Sequence, residues 1–330
     1  MDAARNPLKL QQGTFESLCM DMGVRDGHDV EIVSERTHAP TKLRKLGSLY
    51  GENSNENIKH SVRAQKVADI GREIIRAARR YVRGELHDAM GKARAKLGDV
   101  SGISDKDLMK KLNEDEDVEF WLNSLERIEG FTKDGIQDWQ YILVGTPVPN
   151  AFVTEVLPQR FFVTTGLFDE FIENDDELAL VLGHEISHLI MGHLSTGNTI
   201  ELFLRGLEIL VLMLDPTEGL LSLGIVGFLA SSRDALVAMH SRSNEHEADE
   251  LGCKLAAMAC YDTTRGSEVF RKMHELDEKM GSSGNDLMSS HPPSKERYET
   301  LKERSKSENM TKHSHCHQLK GRVRRALTRD

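Results

Sequence analysis

GHEISHLIMGH, residues 183–193, places three histidines and one glutamate in a stretch that otherwise reads as hydrophobic core. The residues before it, ENDDELALVL (173–182), predict a helix that runs into the cluster. Asn174 or Asp175 offers a cap, acidic residues fill the first turn, and Leu178, Val181, Leu182, Leu189 and Ile190 recur on one face. His184, Glu185 and His188 then form H-E-x-x-H on that helix. Positions i and i+4 share a helix face, so both imidazoles can reach a single ion. Zinc suits two neutral imidazoles and one oxygen ligand, with an open fourth position. Glu185 is placed to take a proton from a water whose pKa the ion lowers towards ~7.

The third ligand decides the class. A metzincin needs glycine three residues after His188 and histidine six residues after it, but Met191 and Leu194 stand there and His193 is one place out of step. A gluzincin takes a glutamate from a second helix, with an aspartate one turn later. EHEAD (245–249) supplies Glu245 and Asp249 at i and i+4, in a helix-like run dense in Ala and Gly that suits close packing. In that reading Glu245 ligates zinc and Asp249 accepts a hydrogen bond from the free ring nitrogen of a zinc histidine, His184 for preference. Glu247 is a rival ligand on spacing alone.

Further out, Val67, Ile70, Ile74, Ala77 and Tyr81 recur at helical spacing, with Arg63, Lys66, Arg72, Arg76, Arg79, Arg80 and Arg83 mostly off that stripe. Those cations read as a solvated outer face, with a membrane-facing surface as the alternative. Residues 105–131 predict further charged helices, and WQYILVGT (139–146) and RFFVTTG (160–166) read as strands. The fold class is therefore α+β and mostly helical. Residues 1–58 read as a poorly ordered leader, 59–305 as the metal-binding domain and 306–330 as a basic polar tail, whose HSHCH (313–317) reads as solvated.

With 330 residues the chain can bury a sizeable core. Its net charge of −10 argues against nucleic acid as a partner. Cys19, Cys253, Cys260 and Cys316 form no CxxC pair, and reduced thiols are expected. The first thirty residues carry Asp2, Glu16, Asp21, Asp26 and Asp29 and no apolar run, so neither a secretory signal nor a transit peptide is expected. Residues 203–230 are far more apolar than the rest, but Arg205, Glu208, Asp215, Pro216 and Glu218 interrupt them, so no clear transmembrane span results. They read either as a buried helical hairpin or as a segment lying in a membrane interface.

HEISH (184–188), SRSNEHEADELG (241–252) and HPPSKER (291–297) together resemble the zinc metallopeptidases that include HtpX and the CAAX prenyl proteases. NAF at Asn150–Phe152 and TGL at Thr165–Leu167 add to the likeness. The resemblance implies a gluzincin domain with a small sheet beside the H-E-x-x-H helix. It implies one Zn2+ per chain on His184, His188 and Glu245, preferring Glu245 to Glu247, and it places His291 and Arg297 near the scissile carbonyl. Within the family the chain is most similar to the Oma-type mitochondrial inner-membrane proteases, through EADELGCKLAAMACYDTTRGSEVFRKM (247–273) and the short apolar stretch between the zinc helices. That likeness implies cleavage of membrane or misfolded proteins at the mitochondrial inner membrane. It favours peripheral membrane contact through residues 203–230, and a homo-oligomer is compatible with it. One departure stands out. The family's N-A-F-x-x-P-G/N-G is here NAFVTEVLPQRFF (150–162), three residues longer and without glycine, before a strand expected to hold extended substrate. The alternative function is a catalytically silent, zinc-bound scaffold or adaptor of the same fold.

Overall fold

The computed structural model describes residues 30–34, 41–42, 54–98, 103–132, 135–136, 138–153, 158–193, 242–280, 295–308 and 316. The apolar region 203–230 and His291 lie outside them. Among the described residues no helix is long and apolar enough to cross a membrane.

The apolar stripe belongs to α1 (Ser54–Leu97), in which Val67, Ile70, Ile74 and Ala77 are all buried. Its 44 residues span about 66 Å. The charged stretch that follows forms α2 (Asp105–Asn113) and α3 (Glu116–Glu129), capped by the Ser104 and Asp115 side chains. Leu112 and Val118 from this pair pack with Ala89 and Ala93 of α1 in a small cluster of their own.

Two short strands, β1 (Val30–Ser34) and β2 (Thr41–Lys42), come from the region expected to be a poorly ordered leader. β1 pairs along its whole length with β5, and Val33 is fully buried. Each of its residues exchanges a pairing partner with a central strand, and that long-range ladder replaces the local periodicity the segment lacks. β3 (Phe131–Thr132) and β4 (Gly135–Ile136) make a separate hairpin. β5 (Gln140–Val144), β6 (Ala151–Val153) and β7 (Arg160–Thr164) complete the main sheet in the order β2-β1-β5-β7-β6. β5 and β7 are parallel, and β6 runs antiparallel to β7 with Phe152 opposite Phe162. β7, expected to hold substrate, is thus flanked on both sides, and an interior strand has no free hydrogen-bonding edge to offer. Among the described residues β6 is the edge strand at that end of the sheet.

After α4 (Thr165–Glu170) comes α5 (Asp175–Met191), the H-E-x-x-H helix. Asn174 and Glu177 form a reciprocal capping box at its start. A helix over residues 242–258, α6, carries the second half of the motif. Next are α7 (Thr263–Gly266), α8 (Glu268–Met280) and α9 (Lys295–Ser307). Lys272 of α8 donates to Glu177, tying α8 to the start of α5.

One expectation is corrected here. Cys260 and Cys316 form a disulfide, against the reduced thiols inferred from their spacing, so the tail is joined at Cys316 to the end of α6. The two cysteines are 56 residues apart in the chain, and only the folding of the intervening helices brings them together. The basic residues of α1 are also largely engaged within the molecule. Arg63 and Lys66 pair with Asp169 and Asp175, Arg72 and Arg76 with Asp69 and Glu73, and Arg83 with Glu129. Arg80 donates to the Met258 carbonyl.

Candidate metal centre

α5 and α6 cross where each has a glycine. A methyl group at Gly183 would stand 2.8 Å from the Gly252 carbonyl oxygen, and one at Gly252 would stand 2.7 Å from the His184 nitrogen. Any side chain at either position would push the backbones apart. Their absence brings the two motif halves within reach of one another, as the Ala- and Gly-rich composition of α6 suggested.

His184, Glu185, His188, Glu245 and Asp249 are all buried. His184 Nε2 and His188 Nε2 face each other at 3.1 Å. Glu245 reaches both rings, with Oε2 3.4 Å from His184 Nε2 and Oε1 3.3 Å from His188 Nε2. Among the described residues, His184, His188 and Glu245 can hold a metal ion. Glu247, the rival ligand, lies two residues on, points away from the ring nitrogens and is half exposed.

The outer atoms of the rings are engaged too. His184 Nδ1 sits 3.0 Å from Asp249 Oδ1, the partner chosen from sequence. His188 Nδ1 sits 3.0 Å from Nδ1 of His193, a residue set aside in the sequence once the metzincin spacing failed. With both Nδ1 atoms turned to outer partners, two Nε2 lone pairs and a carboxylate converge on one point. Such a grouping repels itself unless a cation sits within it, so the donor set fits a divalent metal.

Arg297, which the resemblance places near the scissile carbonyl, lies beside the candidate ligand set. Its Nε and Nη2 donate to both oxygens of Asp249 at 2.8 Å, and Nη2 is 2.9 Å from Glu245 Oε2. The guanidinium also packs over the Phe270 ring, which meets His184 edge-on. Burial by itself would push the Asp249 carboxyl up, but Arg297 and His184 hold it below the usual carboxylate range. Burial would likewise push the His184 ring down, yet Asp249 and Glu245 outweigh it and raise its pKa to about 10. Without metal, a proton is the cation this pocket holds.

Support for the far end of α5 was not legible in the sequence. Ser124 donates to the Ile190 carbonyl at 2.7 Å, and Arg127 donates to those of Leu189 and Ile190 at 2.8 and 2.9 Å. α3 thereby adds donors to the last carbonyls of α5, beside the Gly192 N–H that already reaches Leu189.

The model for Peptidase family M48 matches residues 113–305, which take in every one of these side chains. The chain belongs to this family. The family resemblance read from HEISH, EHEAD and HPPSKER is thereby upheld. Among curated relatives, the mitochondrial metalloendopeptidase OMA1 of Arabidopsis thaliana is 26% identical over 81% of this chain and 59% of its own length. The human mitochondrial metalloendopeptidase OMA1 is 31% identical over 50% of this chain and 32% of its own. The metalloprotease YcaL of Escherichia coli is 29% identical over 43% of this chain and 53% of its own. The matches thus span between about a third and three fifths of these relatives' lengths. The fold is that of a gluzincin, α+β and mostly helical, with its sheet beside the H-E-x-x-H helix.

Proposed function

We propose that the chain is a zinc-dependent metalloendopeptidase holding one Zn2+ per chain on His184, His188 and Glu245. The observation that carries this reading is the convergence of those three buried donors beside Glu185 in a family of peptidases. When bound, zinc supplies a Lewis acid for the scissile carbonyl and lowers the pKa of a water. Glu185, next to His184 on α5, takes a proton from the attacking water and passes it to the leaving amine. Asp249 orients His184, and Arg297 holds Asp249 and Glu245 in place. His291, which the resemblance puts near the scissile carbonyl, is assigned to stabilising the oxyanion. Extended substrate is assigned to β6, the edge strand among the described residues, which packs beside the H-E-x-x-H helix.

The substrates proposed are membrane or misfolded proteins, at the mitochondrial inner membrane, since several relatives are mitochondrial by name. Residues 203–230 are proposed to make the membrane contact and 59–305 to form the catalytic body, with β1 and β2 added to its sheet; self-association is compatible with this arrangement.

Metal analysis of purified protein and a casein cleavage assay with and without chelator test the reading. One zinc per chain and chelator-sensitive cleavage are expected. Glu185→Gln should keep its zinc and lose at least ~10²-fold in turnover, because an amide cannot accept the proton. A wild-type protein that holds zinc yet cleaves nothing would be the silent scaffold instead.

A further inference from the structure

His193 follows directly on α5, where Gly192 adopts φ 74° and turns the chain back. Its ring is 7% exposed and lies between His188 and Glu247, which belongs to α6 and is 52% exposed. Nδ1 is 3.0 Å from His188 Nδ1, and Nε2 is 3.1 Å from Glu247 Oε2. We infer that His193 is a positioning residue for the metal: it fixes the tautomer and ring plane of His188 and connects that ligand to Glu247. This rests on the reading of His184, His188 and Glu245 as the ligand set.

One assignment of protons satisfies both of these contacts. Ligation through Nε2 leaves the His188 proton on Nδ1, where it donates to Nδ1 of His193. That nitrogen must then be the acceptor, so the His193 proton sits on Nε2 and donates to the Glu247 carboxylate. Both nitrogens of His193 are committed, and it has no atom left to serve as a fourth ligand. Glu247, for its part, closes the chain of hydrogen bonds at the surface. The placement is not left to a loose loop, since Ser124 and Arg127 hold the Leu189 and Ile190 carbonyls just before the turn. A neutral imidazole bridging a ligand to a carboxylate restrains that ligand's rotation and raises its basicity, as outer partners of metal histidines do.

The test measures affinity for zinc by competition with a chromophoric chelator, and the visible spectrum of the Co2+-loaded protein, in the full chain. His193→Phe keeps the ring's bulk and removes both hydrogen bonds. It should weaken zinc binding about 10- to 100-fold and alter the Co2+ bands. His193→Gln can still accept from His188 and donate to Glu247, and should return to within about threefold of wild type. Wild-type affinity in His193→Phe overturns the inference, as does a Gln variant no tighter than the Phe variant. If His193→Phe does not fold, Glu247→Ala on the surface carries the test: it should lose about three- to tenfold in affinity, and no change overturns the proposal. His184→Ala guards the underlying reading. If it binds zinc as wild type does, the ligand set itself is wrong, whereas silent His193 and Glu247 variants beside a defective His184→Ala refute the positioning role alone.

Discussion

His184 and His188 sit one helical turn apart and face the same point, yet they rest on different support. Behind His184 stand a buried carboxylate, a guanidinium that grips both oxygens of that carboxylate, and the edge of Phe270. Behind His188 stands a second imidazole, and behind that a glutamate at the surface. One side is built from charges removed from water, which are strong together and costly apart. The other runs through two neutral imidazoles to a carboxylate at the surface. Folding stability should therefore depend mainly on the first side, while the second acts mainly on the metal.

The largest expected effect follows from breaking the charged side. Asp249→Leu leaves Arg297 facing an apolar group and should cost the metal-free protein about 3–5 kcal/mol in denaturant unfolding, with zinc binding lost as well. A loss below ~1 kcal/mol would mean that the buried pair is not what holds this side together.

Next comes a dependence on pH. His184 is raised from 6.5 to about 10 in the folded state, so its protonation stabilises the fold fully below 6.5 and the contribution disappears as pH rises through about 10. Metal-free protein should thus lose a few kcal/mol between pH 6.5 and about 10. Zinc-loaded protein should not, because the metal occupies the place of that proton. Unfolding curves of both forms across this range would show it, and parallel curves would break the comparison.

Arg297→Lys keeps the charge but not the two-pronged grip on Asp249. A loss of about 1–2 kcal/mol is expected without metal, and a smaller one with zinc bound, since the metal also neutralises Glu245. Calorimetry of the two forms distinguishes this from a uniform loss. The smallest effect belongs to the other side. Glu247→Ala should change metal-free stability by no more than about 0.5 kcal/mol, as for most exposed positions. A loss as large as that of Asp249→Leu would erase the distinction between the two supports.

Much of this was legible in the chain. The α1 stripe, the capped α5, and the association of His184, His188, Glu245 and Asp249 all follow from spacings of three or four residues, which a helix converts directly into a shared face. What escaped depends on separations that no local period encodes. β1 has no independent signal because its partner strand lies more than a hundred residues away. Arg297 was placed near the scissile carbonyl by the resemblance alone, and its contacts with Asp249 and Glu245, about fifty residues back on another helix, had no local signal. Cys260 and Cys316 are 56 residues apart, with α7, α8 and α9 between them, and no local period relates them. His193 left no signal beyond its failed metzincin spacing. It was examined as a ligand, and its spacing from His188 is wrong for that, although a glycine-turned helix end makes the same spacing right for reaching the back of the ring.

The crossing at Gly183 and Gly252 has a consequence for how this chain can vary. Neither residue has a side chain to donate, accept or carry charge, so neither would be noticed in a search for chemistry. Yet one added carbon at either place meets main-chain atoms, including the nitrogen of His184 itself, and main chain cannot swing aside as a side chain does. Surface carboxylates such as Glu247 can be exchanged in small steps, each correctable by a neighbour. The two glycines permit no such gradual drift. At this crossing, the positions that resist substitution are ones that contribute no side chain.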